Sequence, residues 1–337
     1  MGFLRKLLFP FSIIYGLVTT LRNHFYEKGW FESFAYDFPV LCVGNLSTGG
    51  TGKSPMIEYL IVFLKDDYNI AVLSRGYKRK TSGYIEVIEN ATAEEVGDEP
   101  LQFKQKFPDV TIAVCADRRE GISKLKKKAD VILLDDAFQH RKVKASLNIL
   151  LTPYNDLYID DMILPAGNLR EPKCGAKRAD IIVVTKCPKK IPYSKMQEIQ
   201  YRLALKPNQK LYFSSIGYDT NIYGKTEELP LGYLSNKKFT LVTGIANPKP
   251  LVDFLNDENF NFEHIKYADH HHFSETEISA LQKKELILTT EKDFVRLAPK
   301  LNKFALYYLP IKTEILNKKD KFFKEKILKA IKTSFRM

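Results

Sequence analysis

Cysteine is scarce in this chain of 337 residues: there are four, Cys42, Cys115, Cys174 and Cys187, and no two stand in a C-x-x-C pair. That spacing argues against a disulfide framework and a cysteine-built zinc site, and it suits a reducing, cytoplasmic setting. Long apolar runs are also missing. The longest, residues 7–21, holds about fifteen mostly apolar residues interrupted by Pro10, short of the ~20 that cross a bilayer. Arg5 and Lys6 precede it, but no small-x-small cleavage pattern follows. The run therefore reads as a retained helix lying in a membrane interface, with packing on its own domain as the other reading. Acidic residues are in deficit, 40 against 52 Lys and Arg, and the resulting net charge of +12 asks for an anionic partner. Nucleic acid, a nucleotide and an acidic membrane surface all answer to that description. No internal repeat is visible.

What is present is the alternation of an α/β protein. Hydrophobic residues at 45% against 27% charged rule out a mainly disordered chain, and the length favours two domains over one core. Apolar runs at 40–44, 70–74, 111–116, 131–134, 147–152 and 181–185 are near-continuous Val, Ile and Leu, as in strands buried on both faces of a parallel sheet. Between them lie amphipathic stretches such as Met56, Ile57, Leu60, Ile61 and Leu64, which form one apolar helical stripe. The fold expected is a doubly wound, mostly parallel sheet with a P-loop, followed by a second, smaller α/β domain. Residues 1–30 form the interfacial helix, 31–225 the nucleotide-binding domain, and 226–337 the smaller domain. The smaller domain is expected to hold strands at 240–244 and 286–290, a helix at 248–255, and a basic closing helix carrying Phe323, Ile327 and Ile331.

The strongest motif is GNLSTGGTGKSP at 44–55, in which a strand enters a glycine-rich turn and a helix follows. Phosphate offers no apolar surface, so its site needs converging backbone N–H groups, which glycines permit by close approach. Ser47, Thr48, Gly49, Gly50, Thr51 and Gly52 would line the triphosphate, with Lys53 adding a point charge and Ser54 a hydroxyl for Mg²⁺. Ser47 stands where the strict Walker A pattern has glycine; the Gly-Lys-Ser core is intact. A phosphate loop wants a carboxylate at the end of a neighbouring strand, and VILLDD at 131–136 provides Asp135 and Asp136. Candidates to accept a hydroxyl proton are Asp98, in GDEP, and the histidines of DHHHF at 269–273. Asp98 also reads as a helix cap, and the histidine run as a weak metal site or a solvated loop.

Together these motifs resemble the tetraacyldisaccharide 4'-kinase family over nearly the whole chain. The set is GNLSTGGTGKSP, SRGY at 74–77, GDEP at 97–100, Asp117-Arg118, DDAFQH at 135–140, LREP at 169–172, Asp269-His270 and TTEKD at 289–293. The resemblance implies transfer of the γ-phosphoryl of ATP to the 4'-hydroxyl of an acylated glucosamine disaccharide phosphate, a step toward lipid A. It implies an enzyme held peripherally at the cytoplasmic face of the inner membrane, with ATP and Mg²⁺, a lipid substrate, no nucleic acid and no obligate protein partner. It makes Asp98 the group that activates the hydroxyl, with His270 as its partner and Lys53 as a further catalytic group. It places Arg75, Arg118, His140, Arg170 and Glu171 around phosphates, metal or headgroup, and Mg²⁺ on Ser54, Asp135 and Asp136. Ala137 replaces a glycine often found in the acidic box.

A membrane-associated P-loop switch that recruits partners is the alternative. Guanine readers carry [NT]-K-x-D, whereas Thr185-Lys186-Cys187-Pro188 has proline in place of the acid. Nucleic-acid binding is the other rival, yet the lysines at 124–128 fit a solvated helix face and no stacking motif accompanies them.

Overall fold

The computed structural model describes residue 5 and residues 7–269, 271–301 and 305–335. The chain divides into two compact units. The first takes residues up to Ile216 and again from Thr313; the second is the stretch Gly217–Lys312 between them.

The first unit begins with helix α1 (Phe9–Glu27) and continues through β1 (Val40–Asn45), α2 (Lys53–Leu64), β2 (Ile70–Ser74), β3 (Ile85–Glu86), α3 (Ala93–Val96) and α4 (Asp98–Lys106). Next come β4 (Thr111–Val114), α5 (Arg118–Leu125), β5 (Val131–Asp135), β6 (Leu147–Pro153), β7 (Ile181–Thr185), α6 (Tyr193–Leu203) and β8 (Lys210–Tyr218). The second unit contributes β9 (Asn221–Tyr223), β10 (Glu228–Pro230), β11 (Phe239–Thr243), α7 (Lys249–Asp257), β12 (Phe262–Lys266), α8 (Glu275–Gln282), β13 (Ile287–Thr289), α9 (Glu291–Leu297) and β14 (Leu306–Tyr308). The chain then returns through β15 (Ile311–Ile315) and ends in α10 (Asp320–Ser334).

The larger sheet has the order β15-β8-β7-β6-β1-β5-β2-β4-β3. From β4 to β8 its pairings are parallel, and β3 joins β4 antiparallel. Every residue of β1, β2, β5 and β7 is buried, which explains their unbroken Val, Ile and Leu content: neither face meets water. At ~1.5–3 kcal/mol for each large apolar side chain removed from water, these central strands contribute substantially to the unit's stability. After β1 the chain builds outward through β2 and β4, returns to β5, and crosses to β6 on the other side. Strand β1 is thus the switch point, and the crevice beyond its carboxyl end is where such sheets place ligands.

The second sheet runs β10-β9-β14-β13-β11-β12, parallel among β11 to β14, with β9 and β10 antiparallel. The C-terminal helix, expected to close this smaller unit, groups instead with the first. Its apolar stripe explains this: Phe323, Ile327 and Ile331 are buried, and the Phe323 ring meets Tyr59 of α2 and Tyr212 of β8. The boundary expected near 225 falls at 216–217.

Helix α1 packs through its small residues, burying Ser12, Gly16 and Thr19. Phe11, Ile14, Leu17, Val18 and Leu21 point outward, each more than half exposed. No helix among the described residues is long and apolar enough to cross a membrane.

Candidate active site

The phosphate loop leaves the carboxyl end of β1 and enters α2 at Gly52, whose φ of +90° is a left-handed conformation that a side chain resists. Its tip is open: Thr48, Gly49 and Gly50 are exposed, whereas Ser47, Thr51 and Ser54 are buried supports. Each support is fastened. Asn45 donates to the Thr51 hydroxyl at 2.7 Å, and the Thr185 hydroxyl donates to the Thr51 carbonyl at 2.7 Å. Lys186 donates through Nζ to the Gly50 carbonyl. The Thr48 N–H donates to the Asn168 carbonyl at 2.8 Å, and Ser47 forms an antiparallel bridge with Leu169. In the sequence Thr185 and Lys186 stand out only as a guanine motif lacking its acid; in the fold they hold the loop's backbone in place.

Asp135 ends β5 beside β1, in register with Val43, and so lies at the same edge of the sheet as the loop. It is 1% exposed, accepts from the Ser74 hydroxyl at 3.0 Å, and keeps Oδ1 without a hydrogen-bond partner. Burial, and then the neighbouring carboxylates of Glu99 and Asp136, push its pKa well above the ordinary carboxylate range. Asp136 has a left-handed φ of 46° and turns away to a different set of partners. Arg170 grips it bidentately, at 2.7 Å and 3.1 Å, and Lys53 Nζ stands 3.9 Å away. Burial alone would raise the Asp136 pKa; Lys53 and the Arg170 hydrogen bonds outweigh it and hold the group ionised. Arg170 also donates to the Asn45 carbonyl at 3.1 Å, tying the acidic box back to β1.

Across from Asp135, the Ser54 hydroxyl donates to Glu99 Oε1 at 2.6 Å. Asp98 and Glu99 open α4 directly after Gly97, so both carboxylates sit in its first turn, where the helix dipole favours them. Glu99 was not among the residues read from the sequence as functional, because GDEP looks like a capping pattern until α2 is brought beside it.

Mg²⁺ prefers oxygen donors and retains waters and substrate phosphates in its shell. The Ser54 hydroxyl, the Glu99 carboxylate and the unpartnered Asp135 Oδ1 offer that chemistry. No group of three or more His, Cys, Asp or Glu among the described residues is arranged to hold a metal alone. The donor set therefore fits an ion that brings much of its own coordination, and Asp136 is already occupied by Arg170 and Lys53.

The other expected site residues separate by environment. Arg75 is exposed. Arg118 is 2% exposed and donates to the carbonyls of Cys115 at 2.8 Å and Asp135 at 3.3 Å, so it braces the ends of β4 and β5. His140 has a buried Nε2 without a hydrogen-bond partner, and burial together with Arg118 lowers its pKa to about 4. Glu171 is 3% exposed and accepts from Arg178 at 2.8 Å and 2.9 Å, from Gln139 at 2.9 Å and from Asn23 at 2.9 Å.

In the second unit, Asp293 of the TTEKD motif is fully buried and accepts from the Gly244 N–H at 2.9 Å and the Thr290 hydroxyl at 2.7 Å. It fastens the turn after β11. His271 contacts Glu277 at 3.0 Å and stacks on Tyr267, so its imidazole is already engaged. His270 lies outside the described residues.

Known proteins resemble this chain over nearly its whole length. The family profile described as tetraacyldisaccharide-1-P 4'-kinase matches residues 4–332. The tetraacyldisaccharide 4'-kinase of Flavobacterium johnsoniae is 51% identical over 96% of this chain and 96% of its own. That of Flavobacterium psychrophilum is 49% identical over 99% of each. The crystal structure of LpxK from Aquifex aeolicus in complex with ATP superposes with a TM-score of 0.80 at 30% identity, covering 97% of this chain and 99% of that one. With an open phosphate loop at the switch point, a buried acid beside it and relatives matching end to end, this chain belongs to the tetraacyldisaccharide 4'-kinase family.

Proposed function

We propose a division of labour among this chain's residues for the reaction of its family, ATP-dependent phosphorylation of the 4'-hydroxyl of a tetraacylated glucosamine disaccharide 1-phosphate. The exposed backbone of Thr48, Gly49 and Gly50 cradles the triphosphate of ATP, and Lys53 supplies positive charge where negative charge gathers on the transferred group. Mg²⁺, when bound to Ser54, Asp135 and Glu99, would neutralise phosphate charge. Asp136 keeps Lys53 and Arg170 aimed at the loop. Asp98, in the first turn of α4 next to Glu99, accepts the proton of the attacking hydroxyl, and His270 assists it. Arg75, exposed at the end of β2, is free to meet an anionic part of the acceptor.

The lipid is presented at a membrane surface on the cytoplasmic side. The apolar outward face of α1 supports a peripheral, interfacial seat, since a contiguous exposed apolar face on a folded unit marks an interaction surface. The observation that carries the reading is the buried Asp135 Oδ1, unpartnered beside the Ser54–Glu99 pair at the mouth of an open phosphate loop.

Transfer of label from γ-labelled ATP to a lipid disaccharide monophosphate tests it. Lys53→Ala should lower kcat/KM at least about a hundredfold, the order expected for losing an electrostatic donor. Asp98→Asn should lower kcat by about 10²–10⁴ with ATP affinity retained. Wild-type levels of lipid label in either variant would remove that residue from its role. Preference for GTP, held without an acceptor, would favour the switch reading instead.

A further inference from the structure

The outward face of α1 suggests an anchor, but its inward face does something an anchor does not need. Six side-chain hydrogen bonds, three of them from Arg5 just ahead of the helix, join it to the segment 161–171. Arg5 donates to the carbonyls of Pro165 and Gly167 and to Asn168 Oδ1. The Ala166 N–H donates to the Ser12 hydroxyl at 2.9 Å, the Tyr15 hydroxyl to the Arg170 carbonyl at 3.0 Å, and Asn23 to Glu171 Oε2 at 2.9 Å. Gly16 permits the approach: a Cβ there would meet Ile163 Cδ1 at 3.2 Å.

The segment so held is itself the brace of the phosphate loop. It folds on Asp161, which accepts from the Asn168 N–H at 3.1 Å, and on the Leu169 N–H bond to the Met162 carbonyl at 2.9 Å. Its other edge meets the loop at three successive positions. The Arg170 N–H donates to the Leu46 carbonyl at 2.7 Å, Leu169 bridges Ser47, and the Asn168 carbonyl accepts from Thr48. Helix, brace and loop thus form one hydrogen-bonded series, and the Arg170 guanidinium that grips Asp136 grows out of its middle.

We propose that α1 is a positioning element of the nucleotide site, with Tyr15 and Asn23 as positioning residues that hold Arg170 and Glu171, and through them residues 46–48, in the geometry that receives ATP. Each face of the helix has its own partner: lipid outside, the phosphate-loop brace inside. This inference rests on the phosphate-loop assignment made above.

The two faces can be tested separately on the full-length protein. Affinity for a fluorescent ATP analogue with Mg²⁺, KM for ATP, kcat at saturating ATP, and sedimentation with phosphatidylglycerol-containing vesicles are measured for each variant. Tyr15→Phe and Asn23→Ala should weaken the analogue and raise KM for ATP by about tenfold, the scale of one lost hydrogen bond. They should leave kcat at saturating ATP and vesicle binding near wild type. Leu17→Ser combined with Val18→Ser should show the reverse, reduced vesicle binding with unchanged nucleotide affinity. Tyr15→Phe keeps the ring and loses only the hydroxyl, so it decides the matter should Asn23→Ala fail to fold. Unchanged nucleotide affinity in Tyr15→Phe overturns the proposal. Lys53→Ala is measured alongside: if it retains affinity, the phosphate-loop assignment is wrong, whereas its loss with both helix variants unaffected refutes the coupling alone.

Discussion

His140 shows what its surroundings do to a titratable side chain. Burial disfavours its imidazolium, Arg118 repels it, Lys142 and Arg119 add to the repulsion, and Asp117 offsets them in part, so its pKa falls to about 4 from an ordinary 6.5. Between those values the unfolded chain binds a proton that the folded chain does not, so stability rises with pH through that window and falls on acidification. Denaturant midpoints compared at pH 6.5 and pH 4.5 should drop less in His140→Asn than in the wild type, and equal drops would show that another group is responsible. The three adjacent histidines can also be told apart. With His271 engaged by Glu277 and Tyr267, His270→Ala should lower kcat strongly and His272→Ala should not; the opposite result transfers the proton-handling role to His272. At this scale the sequence was most readable where a feature is contiguous, as in the open loop at residues 47–54. It was least readable for Glu99, Thr185 and Lys186, whose partners Ser54, Thr51 and Gly50 lie far away along the chain and become neighbours only when the sheet forms.

Elements buried on both faces were legible because their composition has one cause. The runs at 70–74 and 181–185 coincide with β2 and β7, and the other central runs differ from the observed strands only at their ends. Strand β8 escaped notice because its polar ends, Lys210 and Tyr218, flank a middle that includes Ser214 and Ser215. The two- and three-residue strands β3, β9, β10 and β14 carry no periodicity at all; their neighbours define them. Helix α10 was found by its stripe, but a stripe does not say which core receives it. Phe323→Ala tests the observed placement. It should destabilise the first unit by about 3–5 kcal/mol, as for a large aromatic removed from a packed core, read as a lower urea midpoint of the nucleotide-protected transition. A change confined to the second unit would place the helix there instead.

Over the whole molecule, the second unit is a continuous stretch with its own buried side chains. Leu241, Leu255, Leu288 and Leu306 are each fully buried within it, among core residues all drawn from that stretch. Residues 217–312 expressed alone should therefore give a cooperative thermal transition and dispersed amide resonances; a collapsed spectrum would mean that the unit depends on the remainder. The first unit has no such independence along the chain, because its sheet takes β15 and its core takes α10 from beyond the insertion.

That discontinuity sets an order of events on the ribosome. The strands around the phosphate loop emerge early, yet the helix that seals their flank is translated only after the inserted unit is complete. During this interval the nascent chain holds an unfinished nucleotide fold next to a finished companion. Competence to hold ATP is thus expected to arrive late in synthesis, when Phe323 leaves the exit tunnel and seats against Tyr59 and Tyr212.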